Sequence, residues 1–396
     1  MSRAPWLTII GLGEDGLAGL PEASRDALSA AEIVMGPARH LGLLPDVAAD
    51  QIEWPVPFVD GIDVLLAHRG RQVVVLASGD PFWFGAGSVL ARQLAATEWR
   101  ALPGQSCFAL AANRLGWPLE TTTCLALHAA PVTRLRPHLA TGQRVIATLR
   151  DGAAVADVAV YLEAEGFGAS HGTILEAMGG PRERVRKLDS GAVPDDVIHP
   201  VCIALDLVGG PALALASGLR DSWFEHDGQI TKRPVRALTL SALAPQPGES
   251  LWDIGGGSGS VSIEWLLAHP SLTATTFEAN PARAAQISAN AARLGVDHLQ
   301  VVQGRAPDVL QGQPLPDVIF VGGGLKARLL DWLTQNAPGC RLVANAVTLE
   351  SEALLMQAQA AQGGTLLQVA VAQAEPLGRM RGWQPVRPIV QWSVTL

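Results

Sequence analysis

The segment Leu251–Ser260 reads LWDIGGGSGS, an apolar run that ends in one carboxylate and four glycines. Backbone so free of side chains lets a ligand come close, and three ligand classes compete for it. A phosphate-cradling loop would end in Gly-Lys-Ser/Thr, which is absent, so a nucleoside triphosphate is excluded. A dinucleotide loop needs G-x-G-x-x-G; counted from Gly255 and Gly257 it finishes at Ser260, a weakened match, with Gly259 just inside it. Charge is more decisive. A carboxylate at Asp253, ending a strand just before the first glycine, repels a pyrophosphate and attracts an ammonium or a sulfonium. That favours S-adenosylmethionine. Glu278, which closes the next strand in TTFEAN, is of the type that accepts hydrogen bonds from both ribose hydroxyls, a role that fits NAD equally well.

A second turn of this kind lies in VVVLASGDPFWFGAGS, where a strand runs into Gly79, Asp80 and Pro81; proline fixes its own backbone and glycine frees its neighbour's. Nearer the start, TIIGLGEDGLAGL carries Gly11 and Gly13. The formal charge is -8, so no global field draws in nucleic acid, and a polyanion must be met by local cations. The candidates are Lys232, Arg233 and Arg236 in TKRPVR, and Arg379, Arg381 and Arg387 in GRMRGWQPVR. Asn345 and Glu350 stand in the same half of the chain as the Leu251–Ser260 turn and are weaker candidates. Lys232, Arg236 and Asn345 are the candidates for a direct catalytic role, and no general base is singled out. The histidines show no metal-ligand pairing, and Cys107, Cys124, Cys202 and Cys340 form no CxxC pair, so neither a metal site nor a disulfide scaffold is expected.

The elements that position these residues alternate short β-rich runs with Ala/Leu-rich helical segments, the pattern of an α/β protein with largely parallel sheets. Strands are expected at 7–10, 73–78, 144–149, 173–178 and 201–207, and then at 250–254, 273–279, 300–304, 317–323 and 341–346. Two series imply two domains: 1–210, a linker at 211–225, and 226–396, with a helix beginning near Arg233 or Pro234. No fixed-period repeat relates the halves. With 48% hydrophobic and 17% charged residues, the chain is rich enough to fold around substantial cores. The apolar N-terminal run is too short for a signal peptide. Val201–Leu219 is broken by Asp206 and Gly209-Gly210-Pro211, so it reads as strand plus linker and no membrane span is expected; the cytoplasm is the expected location.

Taken together, D-x-G-x-G-x-G, Glu278, Gly304-Arg305-Ala306 and PDVIFVGGG resemble a class I S-adenosylmethionine methyltransferase with a Rossmann-like fold. That resemblance implies cofactor contacts at Asp253, Gly255, Gly257, Gly259 and Glu278, with Gly304 and Ala306 near the adenine. The absence of an Asn/Asp-Pro-Pro-Tyr element makes carbon a better acceptor than a base nitrogen. The early GLG plus SGDP is similar to the tetrapyrrole methylases, a two-lobed α/β class that implies cofactor contacts at Gly79, Asp80 and Pro81 and a substrate cleft bordered by Gly11 and Gly13. PGQSCFALAANRLGWP and ILEAMGGPRERV resemble the branch that methylates carbon 5 of a corrin precursor; His128-Ala129-Ala130-Pro131 stands where that branch often has His-Gly-Arg-Pro.

The two halves in this order, with HDGQITKRPVRAL and VANAVTLES, resemble the decarboxylating precorrin-6Y C(5,15)-methyltransferase family over essentially the whole chain. The resemblance implies two S-adenosylmethionine sites, one per domain, no metal, a tetrapyrrole substrate met by Arg233, Arg379 and Arg381, and a homo-oligomer with tetramer contacts in the class I half and dimer contacts in the other. A class I RNA or small-molecule methyltransferase with a degenerate first half, and a non-catalytic tetrapyrrole carrier, are the alternative readings.

Overall fold

The computed structural model describes residues 5–44, 47–188 and 193–396. It divides into two compact units, Met1–Val132 with His138–Pro211, and Ala212–Leu396 with Thr133–Pro137.

Among its described residues the N-terminal unit contains two sheets. The first comprises β1 (Leu7–Leu12), β2 (Ile33–Gly36), β3 (Asp50–Glu53), β4 (Val73–Ser78) and β5 (Trp99–Leu102), all parallel, in the order β3-β2-β4-β1-β5. Every residue of β1 is buried, as expected of a parallel strand covered on both faces. Sharing the sheet centre, β1 and β4 bring their carboxyl ends together, with Gly11 opposite Ala77 and Leu12 opposite Ser78.

The second sheet comprises β6 (Thr122–Ala126), β7 (Arg144–Leu149), β8 (His171–Glu176), β9 (Arg184–Leu188) and β10 (Val201–Asp206), in the order β6-β7-β10-β8-β9. Only β6 and β7 are parallel, which corrects the expectation of a largely parallel arrangement here. Apolar runs report burial of both faces but carry no strand direction. Cys107, Cys124 and Cys202, far apart in sequence, meet in the hydrophobic cluster beneath the helix Cys107–Leu115, and all four cysteines are free.

The C-terminal unit is a seven-stranded sheet built from β11 (Ser250–Ile254), β12 (Thr273–Glu278), β13 (Gln300–Gln303), β14 (Val318–Val321), β15 (Arg341–Ala346), β16 (Thr365–Val369) and, after the hairpin β17 (Ala372–Leu377) and β18 (Met380–Pro385), β19 (Ile389–Thr395). The order is β13-β12-β11-β14-β15-β19-β16, parallel from β13 to β15, with β19 antiparallel to both neighbours. Successive residues of β11 enter opposite cores: Leu251 packs with Val261, Ile263 and Trp265 of the helix Ser260–Ala268, whereas Trp252 and Ile254 pack on the other face.

Residues 218–225, expected within a linker, are built into this unit. Leu219 and Phe224 are buried in its core, and the N–H groups of Gly218 and Leu219 donate to Glu264. The stretch Val208–Ser217 is mostly exposed, so Val201–Leu219 is a strand followed by irregular chain. Among the described residues no helix is long and apolar enough to cross a membrane.

Candidate functional site

At the carboxyl end of the C-terminal unit's parallel strands lies a cleft of ≈ 860 Å³, where open α/β sheets place their ligands. Ile254–Gly257 form its floor, with Glu278 from β12, Gly304–Pro307 after β13, Gly322–Gly324 after β14, and Asn345 from β15. The glycine turn is shaped by close backbone approaches. Gly255 has φ +79°, and a Cβ there would sit 2.7–2.9 Å from the backbone of Gly323, so any side chain would break the turn. The chain then passes through Gly259 into the helix Ser260–Ala268.

Glu278 is 7% exposed, and its two oxygens accept from the N–H of Gly257 at 3.0 Å and of Asn280 at 2.9 Å. It therefore ties the end of β12 to the glycine turn. Gly304 N–H donates to the Glu278 carbonyl at 3.0 Å, which joins the third loop to the same corner.

Asp253 lies one residue deeper than the cleft floor. Strand alternation turns it to the face of Leu251, where it is 1% exposed and its Oδ2 accepts from Ser262 Oγ at 2.6 Å, while Oδ1 has no hydrogen-bond partner among the described residues. Burial pushes its carboxyl up to about 6, against the help of Ser262, and the Glu278 charge pushes the same way. Asp253 and Gly259 are thus placed beneath and behind the cleft lining that Gly255, Gly257, Glu278, Gly304 and Ala306 share.

The expected cations separate sharply. Arg236 is a correction to the expectation of a catalytic role: it is 0% exposed and its guanidinium is used up inside the fold. It donates to Glu264 at 2.5 Å, to Asp221 at 3.1 Å and to the carbonyls of Thr231 and Leu219, with Phe224 stacked on it. Arg236 lies on the buried face of the helix Arg233–Leu243 with Val235, Thr239 and Leu240, whereas Lys232 precedes the helix in extended backbone, lines the cleft and has Asp221 at 3.8 Å. Arg233 is exposed and outside the lining, as are Arg379 and Arg381, which sit on the exposed β17–β18 hairpin; of that second cluster only Arg387 reaches the cleft. Asn345 lines the cleft but is braced, donating to Thr239 Oγ1 at 2.9 Å and accepting from Gln391 Nε2 at 2.9 Å. Glu350 lies in the first turn of the helix Leu349–Gln362 and outside the lining. Sequence reading missed Arg283, Arg305, Lys326 and Arg328, whose signal was position alone: each follows the carboxyl end of a sheet strand.

In the N-terminal unit Gly79, Asp80 and Pro81 leave β4, with Asp80 Oδ1 accepting from Phe82 N–H at 2.8 Å. Three backbone segments cross here. A Cβ on Gly11 would lie 1.8 Å from the Gly79 carbonyl oxygen and 2.3 Å from Gly104 N, so Gly11 serves the crossing itself. Gly13 packs over the Asp15 side chain. Beside the crossing, buried Glu14 pairs with Arg39 and, at 3.0 Å, with Arg182. Arg39 also donates to Ser78 Oγ at 3.0 Å and lies 2.7 Å from His40 Nε2. Burial lowers the pKa of His40 to about 3, with the Arg39 charge adding to the effect, so the ring is neutral. Among the described residues no cluster of three or more His, Cys, Asp or Glu side chains is arranged to hold a metal.

A parallel-stranded sheet with its cleft at a glycine turn and an acidic second strand defines a nucleoside-cofactor domain, and the family comparisons give its class. Residues 222–396 match the precorrin methyltransferase domain, and residues 6–193 match the tetrapyrrole (corrin/porphyrin) methylases. The chain is 48% identical to a precorrin-6Y C(5,15)-methyltransferase [decarboxylating] of a Sinorhizobium species, across 99% of this chain and 97% of that one. It is 40% identical to the protein of the same name from Mycobacterium tuberculosis CDC 1551, over 98% and 99% of the two chains. The solved C-terminal domain of the precorrin-6Y C5,15-methyltransferase from Rhodobacter capsulatus is 54% identical, covering 46% of this chain and 100% of that one, with a TM-score of 0.45. The chain belongs to the decarboxylating precorrin-6Y C(5,15)-methyltransferase family.

Proposed function

We propose that this protein methylates precorrin-6Y at carbons 5 and 15 and removes the carboxyl group of the acetate on carbon 12, with S-adenosylmethionine as methyl donor. The observation that carries this reading is end-to-end similarity to relatives of that name, at 48% identity over 99% of this chain. In the reading, the N-terminal domain (1–210) acts at carbon 5, and the C-terminal domain (226–396) acts at carbon 15 and decarboxylates.

The residues fit two cofactor sites. In the C-terminal unit Gly255 and Gly257 leave room for the cofactor, Glu278 faces the cleft as a hydroxyl acceptor, and Gly304 and Ala306 border it. The orphaned Oδ1 of Asp253 is a buried acceptor behind the turn, suited to a positive charge above it. In the N-terminal unit the reading assigns the cofactor to Gly79, Asp80 and Pro81, with Gly11 and Gly13 at the border of the substrate cleft. S-adenosylmethionine supplies an electrophilic methyl group, whose sulfur departs with the bonding electron pair.

The chain's own contribution is positioning and exclusion of water, because methyl transfer to carbon needs an in-line approach more than a strong base. Lys232 and Asn345 stand in the cleft where they can orient the acceptor. Loss of carbon dioxide leaves an electron pair that the conjugated ring delocalises until a proton returns to the former acetate carbon. A cytoplasmic homo-oligomer completes the reading. The β17–β18 hairpin, with Leu377, Met380 and Trp383 exposed, is the surface it offers for contacts between C-terminal units, and dimer contacts are assigned to the N-terminal half. Incubation with precorrin-6Y and methyl-labelled cofactor tests the proposal: two methyl groups gained and one carbon dioxide lost per substrate are expected, and a protein that binds the pigment without labelling it overturns the reading in favour of a carrier.

A further inference from the structure

Among the described residues six cationic side chains line the C-terminal cleft, Lys232, Arg283, Arg305, Lys326, Arg328 and Arg387, against a single carboxylate, Glu278. Each oxygen of that carboxylate already accepts one backbone N–H. In a chain of net charge -8 such an excess is local, and it creates a positive field inside a concave site. Three of the six are partnered from outside the lining: Arg283 by Asp227 at 2.8 Å, Arg328 by Asp308 at 2.5 Å, and Lys232 by Asp221 at 3.8 Å. Arg305, Lys326 and Arg387 form no ion pair among the described residues.

Sheet topology divides the unpaired three. Arg305 follows β13, on the side of β11 that carries Glu278, and neighbours Gly304 and Ala306. Lys326 follows β14 and Arg387 precedes β19, both across β11 on the other side. Because β19 runs antiparallel to β15, its start lies at the same end of the sheet as the end of β14. Two free cations on separate chain segments therefore border the half of the cleft opposite Glu278. One carboxylate can bridge two cations, as Glu14 does between Arg39 and Arg182, but cations on separate chain segments can each also take a carboxylate of their own, which a rigid ligand bearing several carboxylates supplies.

We propose that Lys326, after β14, and Arg387, before β19, grip two carboxylates on separate peripheral chains of the tetrapyrrole in one half of the cleft and so hold the acceptor there. The proposal rests on the methyltransferase reading above. Removing either charge leaves the donor site intact and costs acceptor binding. Arg379 and Arg381, nearby in sequence but outside the lining, take no part.

The test uses the full chain and follows carbon dioxide release against precorrin concentration. Lys326→Ala and Arg387→Ala are each expected to raise KM about tenfold, the double variant about a hundredfold, as expected for charge-assisted contacts. Saturated turnover and the calorimetric affinity for S-adenosylhomocysteine stay within about twofold, Lys326→Arg restores most of the loss, and melting curves match the wild type. Unchanged KM, or an equal loss from Arg379→Ala, overturns the assignment. If the wild-type chain releases no carbon dioxide, the methyltransferase reading fails instead. The grip is then read by fluorescence titration with uroporphyrin, which carries carboxylates, beside its methyl ester: binding weakened by the double variant for the acid alone upholds it, and binding equal to wild type overturns it.

Discussion

The turns at Gly79 and Gly255 both leave the carboxyl end of a parallel strand, yet they are held by opposite means. The N-terminal turn is clamped by backbone, with Gly11, Gly79 and Gly104 at contact distance and a neutral buried His40 nearby. The C-terminal turn borders an open cleft, tied back by the Glu278 carboxylate and underlain by a second, poorly solvated one, Asp253. A backbone clamp leaves no variable part, whereas a side-chain tie adjusts with charge and ligand. Two solutions to the same positioning problem thus have different sensitivities, to steric change in one unit and to electrostatic change in the other.

The largest expected effects break each turn separately. Gly11→Ala drives a methyl group into the Gly79 carbonyl and is expected to unfold the N-terminal unit, seen as loss of one transition in calorimetric melting. Gly255→Ala, with its Cβ against Gly323, is expected to leave the chain folded and to lower the S-adenosylhomocysteine stoichiometry from two to one. Loss of both sites from Gly255→Ala would erase the distinction between the turns. Next in size is Arg236→Ala, which leaves the buried Glu264 carboxylate without its cationic partner, while the half-exposed Asp221 keeps Lys232 nearby. Breaking a buried pair in this way costs about 3–5 kcal/mol in denaturant unfolding, with methyl transfer by the folded fraction unchanged.

The pH response sharpens the contrast. Asp253 has an ordinary carboxyl pKa when unfolded and about 6 when folded, so as pH rises from about 4 to 6 the unfolded chain ionises first and the C-terminal unit loses about 3 kcal/mol. His40 works the other way: its folded pKa of about 3 lies below the unfolded 6.5, so the N-terminal unit loses stability as pH falls from 6.5 towards 3. Between pH 6 and 4.5 the two melting transitions are expected to move in opposite directions on acidification. Asp253→Asn is expected to abolish the C-terminal trend, stabilise that unit at pH 7 and weaken its cofactor binding; an unaltered trend would locate the titration elsewhere. Smallest of all, the Arg379→Ala/Arg381→Ala double variant is expected to change turnover and cofactor affinity by less than about twofold, since both side chains are exposed on the hairpin and screened.

Much of the architecture was legible because fully buried strands announce themselves. SLWDI and RLVANA fall at 250–254 and 341–346 as read, and VVVLAS at 73–78. Strands with exposed faces were not legible: RVRKL in β9 has three charged residues in five, and AQAEPL and MRGWQP in the β17–β18 hairpin have no buried face. At the site, the glycines and Glu278 were readable since turn geometry and strand ends restrict residue type. Arg236 misled because TKRPVR gives composition and withholds the helical phase that turns one cation out and another in. Lys326 and Arg387 escaped notice as a pair because they are far apart in sequence and come to the same cleft through the antiparallel return of β19.

Glu278 has one more consequence, thermodynamic in kind. Because it already holds the Gly257 N–H, the glycine turn is ordered before any ligand arrives, and its conformational entropy is lost during folding and not at the moment of association. Cofactor binding to this unit then has an entropy that reports mainly on released water, and a chain lacking that carboxylate carries the ordering penalty over into each encounter with its ligand.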